Sequence, residues 1–254
     1  MMKKLLFIVT LILSVSLVYA QKPTHYYVTI HTKEGDCILK LYNETRKHRD
    51  NFVKLVSEGF YDSLLFHRVI NNFMIQGGDP DSRYAGSRQK LGEGGPDYKI
   101  PAEIMPNLIH KKGTIGAARD NNPAKESAAS QFYLVQGRVF SQAALDSLET
   151  YRLKGAKLTP LQRETYSTIG GTPHLDGNYT VFGELLKGVE VVDAIAKVKT
   201  DEFDRPLNDE RFSMKLMGRR EAINYERTLQ GLAPKEGFFT KLFDSFKSRT
   251  YKLP

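Results

Sequence analysis

The chain of 254 residues contains one cysteine and no tryptophan, and its six histidines are scattered. A single thiol cannot close an internal disulfide, so the fold must stand on its core. That thiol, Cys37, lies in the strand-like run GDCILKLY and reads as a small buried hydrophobe rather than a reactive group. Histidines without ligand spacing give no metal motif, and no metal is expected. Internal repeats and low-complexity segments are missing too. The apolar run Leu5 to Val18 falls short of the roughly 20 residues that a membrane helix needs. There is no acidic excess either, the formal net charge being +8. With 41% apolar residues, the chain has enough hydrophobic material for a substantial core in one or two domains.

What is present begins with a targeting pattern. Lys3 and Lys4, the apolar run, and Val18-Tyr19-Ala20 before Gln21 are the three parts of a secretory signal peptide over 1–20, cleaved after Ala20. An uncleaved anchor is the alternative. No cysteine follows the run, which speaks against a lipid-anchored start. Export to a periplasm is therefore expected. Without the two signal lysines the charge is +6, and residues 219–254 carry +4 of it, with eight Lys and Arg against four Asp and Glu. The imbalance belongs largely to this basic tail. Because the remainder shows neither a recognition helix nor a basic stripe, nucleic acid is not an expected partner.

The chain is organised around Phe66 to Asp79, FHRVINNFMIQGGD. Phe66 to Ile70 and Met74 to Gln76 are β-branched, aromatic and long apolar residues, and Asn71-Asn72 supplies turn chemistry, so the stretch reads as a hairpin. A two-residue turn would set Arg68 opposite Ile75. A three-residue loop ending at Phe73 sets Ile70 opposite Met74 and Arg68 opposite Gln76. The second register is preferred, since it gathers Arg68, Met74 and Gln76 on one face, where the amide can orient the guanidinium and Met74 can cover its stem. In this run the chain closely resembles the cyclophilin family of peptidyl-prolyl cis-trans isomerases. The resemblance extends from about Tyr26 to Gly218 with one interruption.

The resemblance implies a mainly β fold: a closed eight-stranded antiparallel barrel with a helix capping each end, over residues 21–218. The periodicities along the chain agree with its order of elements. Tyr26 to Thr32 and Cys37 to Tyr42 alternate about a turn, Phe52, Leu55 and Val56 share a helical face, and Asp79 to Pro101 is a long Gly- and Pro-rich loop. Ser130 to Val135 reads as a strand, Val189 to Val198 as the second capping helix, and Glu210 to Met217 as the closing strand. The interruption, 141–171, is expected to be a helical hairpin, with Ala144, Leu145, Leu148 and Tyr151 as one stripe. Thr159, Pro160 and Gln162 supply an N-cap, a first helical residue and a capping box for its second helix. It either covers the barrel flank or forms a lid or docking element beside the peptide groove. In the tail, Phe238, Phe239, Leu242, Phe243 and Phe246 make a stripe that could lie on an anionic membrane surface or pack on the barrel.

The reaction implied is rotation about the bond preceding proline, with Arg68 as the catalytic donor to the amide nitrogen. The family pattern sets the proline ring among Phe73, Met74, Tyr133 and Leu175, with Gln76 orienting Arg68. Gln131 and the backbone from Ala118 through Arg119 to Asp120 grip the amino side of the peptide. Tyr179 completes the substrate-binding set, and His67 and His174 support it. Five positions depart from the best-known pattern. His174 stands where many members have the tryptophan that contacts cyclosporin, and Tyr179 where they have a histidine. Tyr133 replaces a phenylalanine, and Arg119-Asp120 replaces a small Asn-containing pair. These make the rim more polar. No ATP, metal or organic cofactor is implied. Proline-containing polypeptides are the expected partners, and a monomer is expected. The alternatives are a proline-peptide binding module or chaperone with little turnover, and a scaffold whose insertion and tail carry the function.

Overall fold

The computed structural model describes residues 22–87 and 89–235. The expected signal segment 1–20 and the phenylalanine stripe of the tail lie outside them. Two compact units are formed, one by His25–Leu216 and one that includes, among the described residues, 22–24 and 217–235.

In the larger unit, β1 (Tyr27–Thr32) and β2 (Gly35–Leu41) form the opening hairpin, with Thr32 opposite Gly35. The turn is shorter than expected, Lys33-Glu34 only, because Gly35 at φ +129° already belongs to the second strand. Helix α1 (Arg46–Ser57) buries His48, Phe52, Leu55 and Val56, and Gly59 at φ +69° turns the chain away from its end. Then come β3 (Leu64–Leu65), β4 (Arg68–Ile70) and β5 (Met74–Gly77). After the loop, β6 (Lys99–Ile100) pairs with β8 (Ser127–Ala128) as a small separate sheet. Strands β7 (Thr114–Ala117), β9 (Phe132–Val135), β10 (Val181–Lys187) and β11 (Arg211–Leu216) complete the main sheet. Helix α4 (Val189–Ile195) packs Val191, Val192 and Ile195 into the same core as α1.

The main sheet has nine antiparallel strands in the order β3-β11-β1-β2-β10-β7-β9-β5-β4. This corrects the closed eight-stranded barrel. The sheet curls without closing, because its two edge strands, β3 and β4, are consecutive in the chain and joined by Phe66-His67 alone. They continue one another instead of pairing. Their edges are two and three residues long, too short to template another chain. Phe66 N–H donates to the Glu210 carbonyl (2.9 Å) and Val69 N–H to the Asp204 carbonyl (2.8 Å), so the backbone of this crossing is not left unpaired.

The insertion is a helical hairpin of α2 (Gln142–Tyr151) and α3 (Pro160–Thr168). Ser141 caps the first, and Thr159 forms the capping box with Gln162 at the head of the second. The apolar stripe differs from expectation at one end. Tyr151 is 84% exposed, while Leu145 is buried with Ile109, Phe140, Leu158 and Tyr166 in a small core of their own. Glu149 is buried instead. It accepts the Leu158 N–H (3.0 Å), Arg163 (2.8 Å) and Lys157 (2.8 Å), so a charge is covered without being left unpaired.

In the smaller unit, α5 (Arg219–Leu229) occupies the start of the tail. Glu226 accepts both the backbone N–H (2.7 Å) and the hydroxyl (2.6 Å) of Thr24. Because the insertion has its own cluster, Leu145→Ala should cost about 2–4 kcal/mol locally. Limited proteolysis followed by mass spectrometry should show new cleavage within 141–171 while the β-sheet resists. Cleavage spread evenly over the chain would contradict this.

Candidate active site

Strand parity gives the sheet two apolar faces. Across β4, β5, β9 and β7 one row runs Val69, Ile75, Leu134, Ile115, and all four lie in the main core. The residues between them point the other way. Arg68 stands opposite Gln76, Gln76 opposite Tyr133, and Tyr133 opposite Gly116; the next row is Ile70, Met74 and Val135. The hairpin therefore has the three-residue loop, closed by the Phe73 N–H to Ile70 carbonyl bond (3.1 Å), with Asn72 at φ +62°.

On this outer face Met74, Tyr133, Val135 and Leu175 form a second apolar cluster, with Ile70, Phe73, Ala118 and Tyr179 packed partly buried against it. Six residues expected at the site from the sequence are thus brought together in one apolar cluster: Phe73, Met74, Ala118, Tyr133, Leu175 and Tyr179. Phe73 stacks on the His174 ring at 5.4 Å and 28°. Tyr179 meets Tyr133 edge to face (6.1 Å) and carries the Arg119 guanidinium over its own ring (4.7 Å). Arg119 Nε also donates to the Asn178 carbonyl (2.9 Å). The apolar wall is therefore fixed by stacking and cation–π contacts rather than by packing alone.

The polar groups are arranged differently from expectation in two respects. Gln76 does not hold Arg68. Its amide donates to Gln131 (3.0 Å), whose own amide donates to the Gly92 and Gly94 carbonyls (2.9 Å each), so both glutamines brace the long loop. Arg68, with 44% of its side chain exposed, approaches Asp204 through Nε at 3.5 Å, and its terminal amino groups have no partner among the described residues. Nor is the Ala118 backbone open to a peptide. Its N–H donates to the Gln131 carbonyl (3.0 Å) and its C=O accepts from Ala128 (2.8 Å). Arg119, the next residue, has neither backbone group paired among the described residues.

Sequence reasoning missed the group behind Tyr133. The ring lies directly over Gly116, where a Cβ would overlap it. Its buried hydroxyl is 2.8 Å from His110 Nε2, and His110 Nδ1 is 2.8 Å from Asp176 Oδ1. A carboxylate only accepts, so Nδ1 carries a proton toward Asp176. The other Asp176 oxygen accepts from Gln162 (2.8 Å) and from the Tyr166 hydroxyl (2.6 Å) on α3. Burial would raise the Asp176 pKa, but these donors outweigh it and hold the carboxyl below its ordinary range. Burial drives the Tyr133 phenol well above its usual value, so it remains a donor. The available signal was Tyr133 itself, since a buried phenol that replaces a phenylalanine needs an acceptor.

His67 is buried, and neither ring nitrogen makes a well-formed hydrogen bond. Burial, helped by the charges of Arg68 and Arg205, lowers its pKa to about 4 against the pull of Asp79. Burial, with Arg152 and His110, likewise lowers His174 to about 4.

Curled sheet, capping helices and outward-facing pocket together define a cyclophilin. The family model of cyclophilin-type peptidyl-prolyl cis-trans isomerases matches residues 27–215. A Staphylococcus aureus protein provisionally named a peptidyl-prolyl cis-trans isomerase is 36% identical over 183 residues, 72% of this chain and 86% of the relative. A Streptococcus pyogenes protein provisionally named a bifunctional phosphatase/peptidyl-prolyl cis-trans isomerase is 38% identical over 185 residues, and the chain spans only 36% of its length. Among solved structures, a Cryptosporidium parvum cyclophilin-type isomerase aligns with TM-score 0.55 at 23% identity, over 76% of this chain and 98% of that one. The same isomerase was also crystallised in the presence of the dipeptide Ala-Pro. The chain belongs to the cyclophilin-type peptidyl-prolyl cis-trans isomerases, and cis-trans isomerisation of the peptidyl-prolyl bond is its activity.

Burial also lowers His48, while His67 and His174, lowered to about 4, contribute to the loss of stability in acid. Unfolded, they take up protons near pH 6.5; folded, they resist until about pH 4. Between these values the unfolded chain binds more protons, so stability is complete above about pH 6.5 and falls as the pH drops toward 4. The share of His67 is on the order of 3 kcal/mol. Urea midpoints measured from pH 8 to 4 should be flat and then decline. His67→Asn should lessen the slope, and an unchanged slope would remove His67 from the account.

Proposed function

We propose that this isomerase turns Xaa-Pro bonds in exported polypeptides, with Arg68 as the donor that stabilises the twisted amide. The observation that carries the reading is the adjacency, on one outward sheet face, of a cation with free donors and an apolar, aromatic cluster. Rotation about the prolyl bond is opposed by about 18–20 kcal/mol of lost resonance. Twisting localises the nitrogen lone pair, an acceptor that the planar amide lacks, so a donor aimed at it favours the transition state selectively. Arg68 is always charged and cannot act as a base, and its unpaired amino groups are the natural donors. The proline ring takes the concavity of Phe73, Met74, Tyr133 and Leu175. The residues before proline run beside Gln131 and pair with the open backbone of Arg119.

Five powers of ten in rate require about 7 kcal/mol, and one charge-assisted hydrogen bond supplies about 1.5–3 kcal/mol. The rest comes from holding the peptide in a partly dry groove whose walls are already fixed. Arg68→Ala should therefore reduce kcat/KM on an Ala-Pro peptide by roughly 10- to 150-fold, measured by exchange NMR, with the fold intact. Wild-type binding without acceleration would favour the binding-module reading instead. Export is supported by the three-part pattern of 1–20 and by the absence of any cysteine pair to mispair. Expression of the full chain in a bacterium should yield a periplasmic product whose intact mass begins at Gln21. A cytoplasmic product starting at Met1 would remove the export half of the proposal.

A further inference from the structure

Beyond the proline pocket, on the far side of the Phe73–His174 stack, lies an open groove of about 290 Å³. The site pocket supplies one wall, through Phe73 and His174. Helix α2 of the insertion supplies another, through Leu148 and Arg152, and Arg138 and Phe140 line the rest. We propose that this groove is a substrate subsite for an acidic side chain carried two or three residues after the proline, bound by Arg138 and Arg152.

Three observations support it. The first is charge without a counter-charge. Arg138 lies over the Phe140 ring at 4.8 Å, and neither guanidinium has an ion pair or hydrogen bond among the described residues. The neighbouring acids of the insertion are already engaged, Glu149 by Lys157 and Arg163, and Asp146 by Arg163. Two adjacent unpaired cations above an apolar floor suit a carboxylate on a short methylene stem. The second is direction. Strand β5 runs from Met74 to Gly77, with Gln131 and Ala118 at its Gln76 end and the groove at its start, beside Phe73. A peptide gripped before its proline by Gln131 and Arg119 leaves across Phe73 and His174, toward the two arginines. The third is reach. Phe73 and His174 themselves line the groove, and two to three extended residues span about 7–10 Å. Arg152 also bears electrostatically on His174, which places its charge at this wall.

The inference rests on the isomerase reading for the direction of the chain. The test uses N-acetylated, C-amidated peptides containing Ala-Pro-Ala-Xaa, with Xaa as Glu, Gln or Lys, so that no terminal carboxylate competes. Exchange NMR gives kcat/KM for each. The purified chain should rank Glu above Gln above Lys, with roughly three- to tenfold between Glu and Gln that shrinks in 0.5 M NaCl. Arg138→Gln with Arg152→Gln should bring the Glu-to-Gln ratio near one. Arg138→Glu with Arg152→Glu should reverse the ranking. Both residues are exposed, so these variants are expected to fold, which circular dichroism checks. Equal rates for all three peptides, or an unreversed ranking in the Glu variant, would overturn the subsite. If no peptide is accelerated, the isomerase reading fails and titration decides the subsite separately. Glu-selective shifts at the Leu148 and Thr172 amides support it, and unselective or absent shifts reject it.

Discussion

The buried carboxylate of Asp176 is the constraint on which the pocket and the insertion both depend. It takes two donors from His110 and two from α3, and through His110 it fixes the hydroxyl of Tyr133. A largely covered ion of this kind is tolerable only when its lone pairs are filled, and here four donors from two segments fill them. The arrangement is cooperative in the geometric sense. Tyr133 needs a polar partner, His110 supplies it through Nε2, and Asp176 fixes the orientation of that ring through Nδ1. Gly116 belongs to the same set, since the ring lies where a side chain at that position would stand. The hydroxyl of Tyr133 therefore draws on groups from β7, the segment before it, the insertion and the turn at Pro173–Leu175.

The other organising feature is the two-faced sheet. Strands β4, β5, β9 and β7 send alternate residues into the core and into the site, so one register sets both. A slip of one residue would exchange Ile75 for Gln76 in the core and remove Arg68 from the groove. Nothing of this sort is available to a site built on loops. It explains how an exposed cation can be held beside an apolar pocket with no close hydrogen bond of its own. Its position comes from the strand, and the 3.5 Å contact with Asp204 is a weak restraint between two half-exposed groups.

Much of this was legible in the sequence where the information is local. The parity of FHRVINNFMIQ gave the hairpin register, and Thr159, Pro160 and Gln162 gave the start of α3, because both depend on residues within a few positions of one another. Closure was not legible, since whether two edge strands pair depends on where the chain crosses from one to the other, here at Phe66-His67. The partner of the Gln76 amide was missed for a similar reason. Gln131 stands 55 residues away, and its side-chain oxygen reaches the Gln76 NH2 because β9 lies beside β5. Tyr151 looked apolar at helical spacing, yet the buried position in that turn went to Glu149, whose donors come from the following loop and α3. Asp176 and His110, 66 positions apart, carry no motif.

The insertion was open to two sequence readings, a cover for the sheet flank or an element of the peptide groove. The structure assigns different parts of these to its two helices. Helix α3 turns Tyr166 and Gln162 inward to Asp176, so it buttresses the pocket from behind and never meets the groove. Helix α2 buries Leu145 in the insertion's own core and leaves Leu148 and Arg152 on the groove beyond Phe73 and His174. A hairpin that only covered the flank would have no reason to spend Gln162, already engaged in the capping box, on a carboxylate beside the site. A hairpin that served only as a docking surface would not need Glu149 buried and triply paired to fix the chain between its helices. Both demands are met because the insertion has its own small core, which lets one helix be rigidly tied to the catalytic wall while the other presents a charged face to solvent.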